Sequence, residues 1–201
     1  MIRKLACAMF VMTIAIGYAL GDEQENEKSG NGTRPVTLAA SSGTGSALSV
    51  KEADDFVKYH NRIRAEVGSP AVTWSSTLAR YAQEWANHIA ETGEIAHRPY
   101  DGEWAQKYGE NWAIGTGDFD ALSAAALWEG EKQFYTPGMV IPDLANFASF
   151  KCGHYTAMIW RSTNEIGAGK ATVQTGPRKG YVVIVGNYNP PGNRIGQDPT
   201  K

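Results

Sequence analysis

Two histidines with glutamates near them are the side chains in this sequence best suited to acid–base or metal chemistry. His97 lies just before a Trp- and Gly-containing loop that ends at Gly109-Glu110-Asn111. His154 is the second residue of the run 153–160. Neutral imidazoles and carboxylates can bind a divalent transition metal or exchange protons with bound water. Spacing alone does not join His97 to His154, because local metal motifs place their ligands a few residues apart.

The other histidines and the cysteine of the folded part have structural interpretations. His60 falls on the apolar face of a helical pattern, which favours a hydrogen-bonded core histidine over a ligand. His88 falls on a polar helix face, which predicts a solvated side chain. Cys152 is interpreted as a small buried residue, since nothing around it marks a nucleophile. No Gly-x-Ser-x-Gly elbow or His-Glu-x-x-His run occurs, so the common hydrolase motifs are absent.

The N-terminus predicts export. Arg3 and Lys4 precede a largely apolar run over residues 5–20, and small residues then surround a candidate cleavage site before Asp22. This pattern is typical of a secretory signal peptide, here residues 1–21. A retained anchor is the alternative, because the apolar run is near the lower limit for a spanning helix. We expect cleavage, no stable transmembrane segment after processing, and a secreted (in a Gram-negative bacterium, periplasmic) protein.

Composition divides the remaining 180 or so residues into a linker, one domain and a short tail. Residues 22–48 are rich in Gly, Ser, Thr, Asn and Glu, which predicts a disordered linker. The folded domain is predicted over residues 49–198, with a tail over 199–201. With 19 basic and 21 acidic residues and no Lys/Arg stripe, nucleic acid is not an expected partner. Cys152 is the only cysteine after the signal peptide, so no internal disulfide is expected.

Helices are predicted in the first half of the domain. Ser49 and Glu52 have the capping-box spacing at the start of the first helix. A second helix is predicted over residues 76–91 and ends at Gly93, and a third begins near Asp120. The third predicted helix carries the apolar side chains of Leu122, Ala125, Ala126, Leu127 and Phe134.

Strands are predicted in the second half. Residues 154–160, 164–173 and 181–188 have the alternation or the apolar content of strands. Helices that come first and adjacent strands that come last predict an α+β domain, with helices packed on a mostly antiparallel sheet. The irregular apolar loop over residues 136–150 is predicted either to cover the core or to form the lip of a ligand site.

Five short motifs, in one order along the chain, resemble those of the cysteine-rich secretory, antigen five and pathogenesis-related superfamily, the CAP proteins. GHYTAMIWRST at 153–163 resembles the first diagnostic motif and NYNPPGN at 187–193 the second. The other three are HNRIR at 60–64, GEN at 109–111, similar to a family turn, and WEGE at 128–131. Two positions depart from the family pattern: Arg98 replaces the usual serine after His97, and Gly186 replaces a cysteine.

The resemblance implies a three-layer α-β-α sandwich (CAP/SCP-like) with a central mostly antiparallel sheet and a cleft. It also implies that His97, Glu110, Glu131 and His154 converge in that cleft, with Glu129 as a competitor for the position of Glu131. His97 and His154 would be the metal ligands, for Zn²⁺ or another divalent metal. A buried polar network that only stabilises the fold is the alternative.

Three functions remain open at this point. A binding protein would hold a divalent metal and a lipid, sterol or peptide ligand in the cleft, which is the function we favour. A metal-dependent hydrolase of the peptidase type would use Glu110 or Glu131, the candidate catalytic residues, to activate metal-bound water. A surface interaction protein would keep the four residues for structure alone. The fold does not decide among these functions.

Overall fold

The computed structural model describes residues 43–143 and 145–201, apart from the side chain of Phe147. The predicted signal peptide and residues 22–42 of the predicted linker lie outside the described residues. Among the residues described, no helix combines the length and the apolar character needed to cross a membrane.

The sandwich predicted from the sequence is confirmed. Its elements, in chain order, are α1 Val50–Glu66, β1 Thr73–Trp74, α2 Ser76–Thr92, β2 Gly109–Gly115, α3 Ala121–Gly130, α4 Gly153–Ile159, β3 Glu165–Thr172 and β4 Val182–Asn189. The strands of the described sheet run in the order β1-β3-β4-β2. Strand β1 is parallel to β3, and the other two pairings are antiparallel.

Helix α2 covers one face of this sheet. It begins at the N-cap Ser75 and ends at Gly93, whose φ of 73° is the left-handed conformation that favours glycine. Gly167 and Gly169 of β3 let the helix approach closely, since a Cβ on either residue would lie 2.4 Å or less from α2 backbone atoms. The buried residues on the α2 side of the core are Ala82, Trp85, Ala86, Ile89, Val183 and Val185.

Helices α1, α3 and α4 cover the opposite face. The predicted capping box of α1 is present: Glu52 N–H donates to Ser49 Oγ, and Ser49 N–H donates to Glu52 Oε2 at 2.8 Å. His60 is fully buried in α1, where Nδ1 donates to Phe56 O at 2.8 Å and Nε2 lies 3.1 Å from Tyr188 Oη. The prediction of a hydrogen-bonded core histidine is therefore confirmed.

The prediction for the motif at residues 153–160 is wrong, because this segment is helix α4 and not a strand. Every described residue from Tyr155 to Trp160 is buried. Polar and apolar residues therefore do not alternate between solvent and core, and periodicity cannot separate a short buried helix from a buried strand. The GEN motif shows the opposite error. It was expected to be a turn, but it begins strand β2.

The apolar side chains predicted on the third helix do not all face the core. Asp120 is the N-cap, as expected, and its carboxylate accepts from Ser123 N–H at 2.7 Å. The buried side chains, however, are three alanines and Trp128, while Leu127 is 58% exposed. Phe134 is 46% exposed and lies beyond α3, in a short 3-10 turn. Residue size alone favours burial of Leu127 and Phe134, but Trp128 fills the space above the small alanines.

The domain extends beyond both predicted ends. Leu48, expected in the linker, is fully buried, and Thr44 O accepts from Trp74 Nε1 at 2.9 Å. At the other end, Pro199 O accepts from Arg161 N–H at 2.7 Å, so the predicted tail is also bonded to the domain. The irregular loop packs into the core through Ile141 and Phe150, both less than 9% exposed. This part of the loop covers the core.

Candidate functional site

Two His–Glu pairs lie next to strand β2, an edge strand of the described sheet. Neighbouring residues of a strand point to opposite faces, and Trp112 packs against the α2 side of the core. Glu110 shares that face, and its register partner across the sheet is Asn187. Asn111 points to the other face, where its amide donates to His154 O at 3.1 Å. Strand β2 therefore contacts both pairs: it carries Glu110 of one pair, and its Asn111 is bonded to the His154 backbone of the other.

The first pair is His97–Glu110. His97 Nδ1 lies 2.8 Å from Glu110 Oε1, and the same oxygen accepts from Arg98 N–H at 3.1 Å. The side chain of Glu110 is fully buried and that of His97 is 10% exposed. The His97 ring also contacts Trp112, with 5.9 Å between ring centroids. A carboxylate can only accept, so Nδ1 carries the proton, and in the neutral ring Nε2 keeps its lone pair.

The second pair is His154–Glu131. His154 Nδ1 lies 2.6 Å from Glu131 Oε1, and Glu131 Oε2 accepts from the backbone N–H groups of His154 at 2.8 Å and Tyr155 at 3.2 Å. Those N–H groups belong to the first turn of α4, which lacks a side-chain cap of its own. The His154 ring stacks on Trp128 at 17° between planes. Here too the proton is on Nδ1, and in the neutral ring Nε2 keeps its lone pair.

Glu129, the alternative to Glu131, has other partners. Its two oxygens accept from Arg62 at 2.9 and 3.2 Å, and Tyr59 also donates to it. The hydrogen bond from Arg62 holds the pKa of the Glu129 carboxyl below its usual value. Glu129 thus joins α1 to α3, and Glu131 is the glutamate beside a histidine.

Hydrogen bonds join the four residues as two pairs. Within residues 43–143 and 145–201, no group of three or more His, Cys, Asp or Glu side chains is arranged to hold a metal ion. Neither Nε2 atom makes a hydrogen bond inside that part of the chain. In proteins, a metal-bound imidazole usually donates its other N–H to a carboxylate or carbonyl, which is the arrangement of both histidines here.

Sequence reasoning missed two residues of the site. Asn111 ties the His154 backbone to Tyr188 Oη, with 3.1 Å in each contact. Its place in the GEN motif was the available signal. Arg98 is only 3% exposed and lies beside Glu110. The signal in the sequence was that a charged residue, Arg98, replaces the serine of the family pattern.

The remaining candidates lie elsewhere. His88, expected to be solvated, stacks on Trp85 at 4.6 Å and contacts Trp104 at 4.7 Å between ring centroids. Trp104, in the loop between His97 and Glu110, packs on the α2 side of the core. Cys152 is buried, as predicted, and burial raises the pKa of its thiol to about 11. A thiol in such a setting is a poor nucleophile.

Comparisons with known proteins give the same family. The model of the CAP family, described as the cysteine-rich secretory protein family, matches residues 57–188. Pathogenesis-related protein 1C of Nicotiana tabacum is 37% identical over 147 residues, which cover 72% of this chain and 79% of that protein. Pathogenesis-related protein 1 of Arabidopsis thaliana is 32% identical over 72% of this chain and 80% of its own length.

Solved structures agree on the fold. The structure of NaASP2 with Zn²⁺ aligns with a TM-score of 0.62 at 20% identity, over 76% of this chain and 86% of that one. BmVAL-1 aligns with a TM-score of 0.58 at 23% identity, over 77% and 84%. Motif order, sandwich architecture and curated relatives all lead to one conclusion: this chain belongs to the CAP family.

Proposed function

We propose that this chain is an exported CAP protein that binds a divalent transition metal, zinc first, through the Nε2 atoms of His97 and His154. The observation that carries the proposal is the use of Nδ1 in both rings. Each Nδ1 is bonded to a glutamate, at 2.8 Å for His97 and 2.6 Å for His154. Both imidazoles are thereby fixed with a lone pair on the other nitrogen, as metal binding requires.

The donor set fits an open site rather than a closed one. Two imidazole nitrogens suit zinc, and water or an external ligand would complete the coordination. Glu110 and Glu131 would orient the histidines and balance the charge of the metal. The solved structure of NaASP2 with Zn²⁺ shares this fold, which supports zinc as the first metal to test.

The state of the two carboxylates favours binding over hydrolysis. A general base must be within hydrogen-bond reach of the water that it activates. Glu131 uses both oxygens, one for the His154 ring and one for two backbone amides. Glu110 uses Oε1 twice, and its buried Oε2 faces the Arg98 side chain at 3.9 Å. Both oxygens of Glu131 are therefore already bonded, and the one unbonded oxygen of Glu110 is buried beside Arg98.

Zinc titration by calorimetry tests the proposal. Wild-type protein is compared with His97→Ala, His154→Ala and the double variant, and His88→Ala serves as a matched control outside both pairs. We expect micromolar or tighter binding by wild type and by the control, weaker binding by each single variant, and none by the double variant. Binding that survives in the double variant, or none in wild type, would contradict the proposal.

A lipid or sterol is a second candidate ligand, favoured by three exposed apolar side chains. Leu127 is 58%, Phe134 46% and Val140 50% exposed, on the segment that runs from α3 into the irregular loop. We expect a fluorescent sterol to bind wild type and to lose affinity when Phe134 and Val140 are both changed to serine. Val50→Ser, at a 59% exposed site on α1, is the control. Equal binding by all three proteins would contradict this candidate.

A further inference from the structure

Arg98 is a buried arginine in an aromatic cage. Its guanidinium carbon lies 3.7 Å from the ring centroid of Tyr81, 5.2 Å from that of Trp85 and 5.3 Å from that of Trp104. Nη2 donates to Tyr81 O at 2.6 Å. The Tyr81 hydroxyl is itself held by the loop before β2, where it accepts from Lys107 N–H at 2.9 Å. Three rings and a carbonyl thus fix the guanidinium in one position.

Both parts of Arg98 face the same carboxylate. Its backbone N–H donates to Glu110 Oε1 at 3.1 Å, while its Nε lies 3.9 Å from Glu110 Oε2. Nε and Oε2 are both buried and make no hydrogen bond within the described residues. The interaction that the structure shows for these two atoms is therefore the charge pairing between Arg98 Nε and Glu110 Oε2.

The pairing has a consequence for Glu110. Its side chain is fully buried, and a buried carboxylate is strongly destabilising unless a counter-charge lies nearby. Glu84 is the other carboxylate close to Arg98, but it is 63% exposed and 3.9 Å away, so solvent screens it. In the second pair, backbone amides hold Glu131.

We propose that Arg98 is a positioning residue, which fixes the Glu110 carboxylate and through it holds the His97 imidazole in the Nδ1–H tautomer. Within the described residues Arg98 makes no hydrogen bond to the His97 ring. It acts through the 2.8 Å hydrogen bond between His97 and Glu110. Which nitrogen of a histidine keeps its lone pair is set by the partner of the other nitrogen. The inference deepens the proposed function, because it concerns how one of the two proposed ligands is presented.

The test is the tautomer of His97 in metal-free protein, read from ¹⁵N chemical shifts and two-bond ¹⁵N–¹H correlations of labelled histidines at neutral pH. We expect Nδ1–H for both His97 and His154 in wild type. In Arg98→Met the backbone N–H still donates to Glu110 Oε1, but Oε2 loses its counter-charge, so we expect the Nε2–H form of His97 to gain population. His154 keeps the Nδ1–H form in the same spectrum and serves as an internal control.

Two further variants complete the experiment. Arg62→Met removes an arginine whose side chain is 50% exposed, and it should leave both tautomers as in wild type. Arg98→Lys keeps the charge without the planar guanidinium, so it should give a His97 tautomer mixture between wild type and Arg98→Met. If Arg98→Met does not fold, the lysine variant alone decides.

A His97 that stays Nδ1–H in Arg98→Met, or in Arg98→Lys where only that variant folds, would overturn the inference. Equal changes at His97 and His154 would also overturn it, because they would indicate general loosening. The result is independent of metal affinity. A wild-type protein that shows the Arg98-dependent tautomer but binds no zinc would contradict the proposed function and leave this inference standing.

Discussion

The two His–Glu pairs share the same hydrogen bond, from Nδ1 to a carboxylate, but the protein holds the two carboxylates by different means. Glu110 is fully buried beside the caged Arg98. Glu131 is 17% exposed and accepts from two backbone amides at the start of α4. One pair therefore depends on a side-chain charge, and the other on the position of a helix. The same ligand geometry can thus be lost through different substitutions.

The largest contrast should come from removing one negative charge at a time. Glu110→Gln keeps an acceptor for His97 but leaves Arg98 buried without its counter-charge, which should lower the free energy of unfolding by about 3–5 kcal/mol. Glu131→Gln loses no buried cation, and we expect about 1–2 kcal/mol. Urea unfolding of both variants at pH 7.5 measures the difference. Equal losses would show that Arg98 does not depend on Glu110.

His60 offers a third histidine for comparison, since both of its nitrogens are bonded inside the core. Burial holds its pKa at about 4, against 6.5 in an exposed histidine. Between these values the unfolded chain binds the proton and the folded chain does not, so stability rises with pH. Acidification from pH 6.5 towards pH 4 should therefore remove about 3 kcal/mol through this residue.

Urea unfolding at several pH values, compared between wild type and His60→Gln, isolates that contribution. The variant should lose less stability than wild type over the same pH range. Identical slopes would mean that His60 is not a source of acid sensitivity.

Gly186 tests the second pair through packing. A Cβ at this position would lie 3.0 Å from Trp128 Cη2 and 3.3 Å from Cζ3, and Trp128 stacks on His154. Gly186→Ala should cost about 1–3 kcal/mol by overpacking and shift the His154 ring signals more than those of His97. Gly43→Ala, where a Cβ meets nothing within 4 Å, is the control. Unchanged His154 signals would show that packing at Trp128 does not influence the His154–Glu131 pair.

The smallest effect is expected at Arg62. This arginine is half exposed and pairs with Glu129 and Glu66 on the outer side of α1 and α3. Exposed ion pairs contribute little, so Arg62→Gln should cost no more than about 1 kcal/mol in urea unfolding. Zinc affinity should stay as in wild type. A loss as large as that of Glu110→Gln would mean that this outer network supports the pairs.

Much of the fold could be predicted from local signals. The capping residues Ser49 and Asp120 and the terminal Gly93 mark helix ends, and all three are confirmed. Helix α4 could not be found this way, because a run buried on all sides has no period. Gly186 stands where the family pattern has a cysteine. Only the structure gives the physical reason, because Trp128 occupies the space above this residue.

The candidate site was predictable to the level of residue types. The family motifs named two histidines and two glutamates, and the structure adds which atoms pair. Nothing in the sequence linked Arg98 to Tyr81, 17 positions earlier, because that contact depends on how the loop before β2 folds over α2. The tie between Asn111 and His154 crosses 43 positions and depends on sheet register in the same way.

X-ray absorption at the zinc edge of the metal-loaded protein tests the central claim most directly. We predict two imidazole nitrogens at about 2.0–2.1 Å from the zinc, with the multiple-scattering pattern of histidine, and oxygen scatterers in the remaining positions. The imidazole signal should fall to one ring in either His97→Ala or His154→Ala. A zinc shell without imidazole, or one that is unchanged in both variants, would contradict the account.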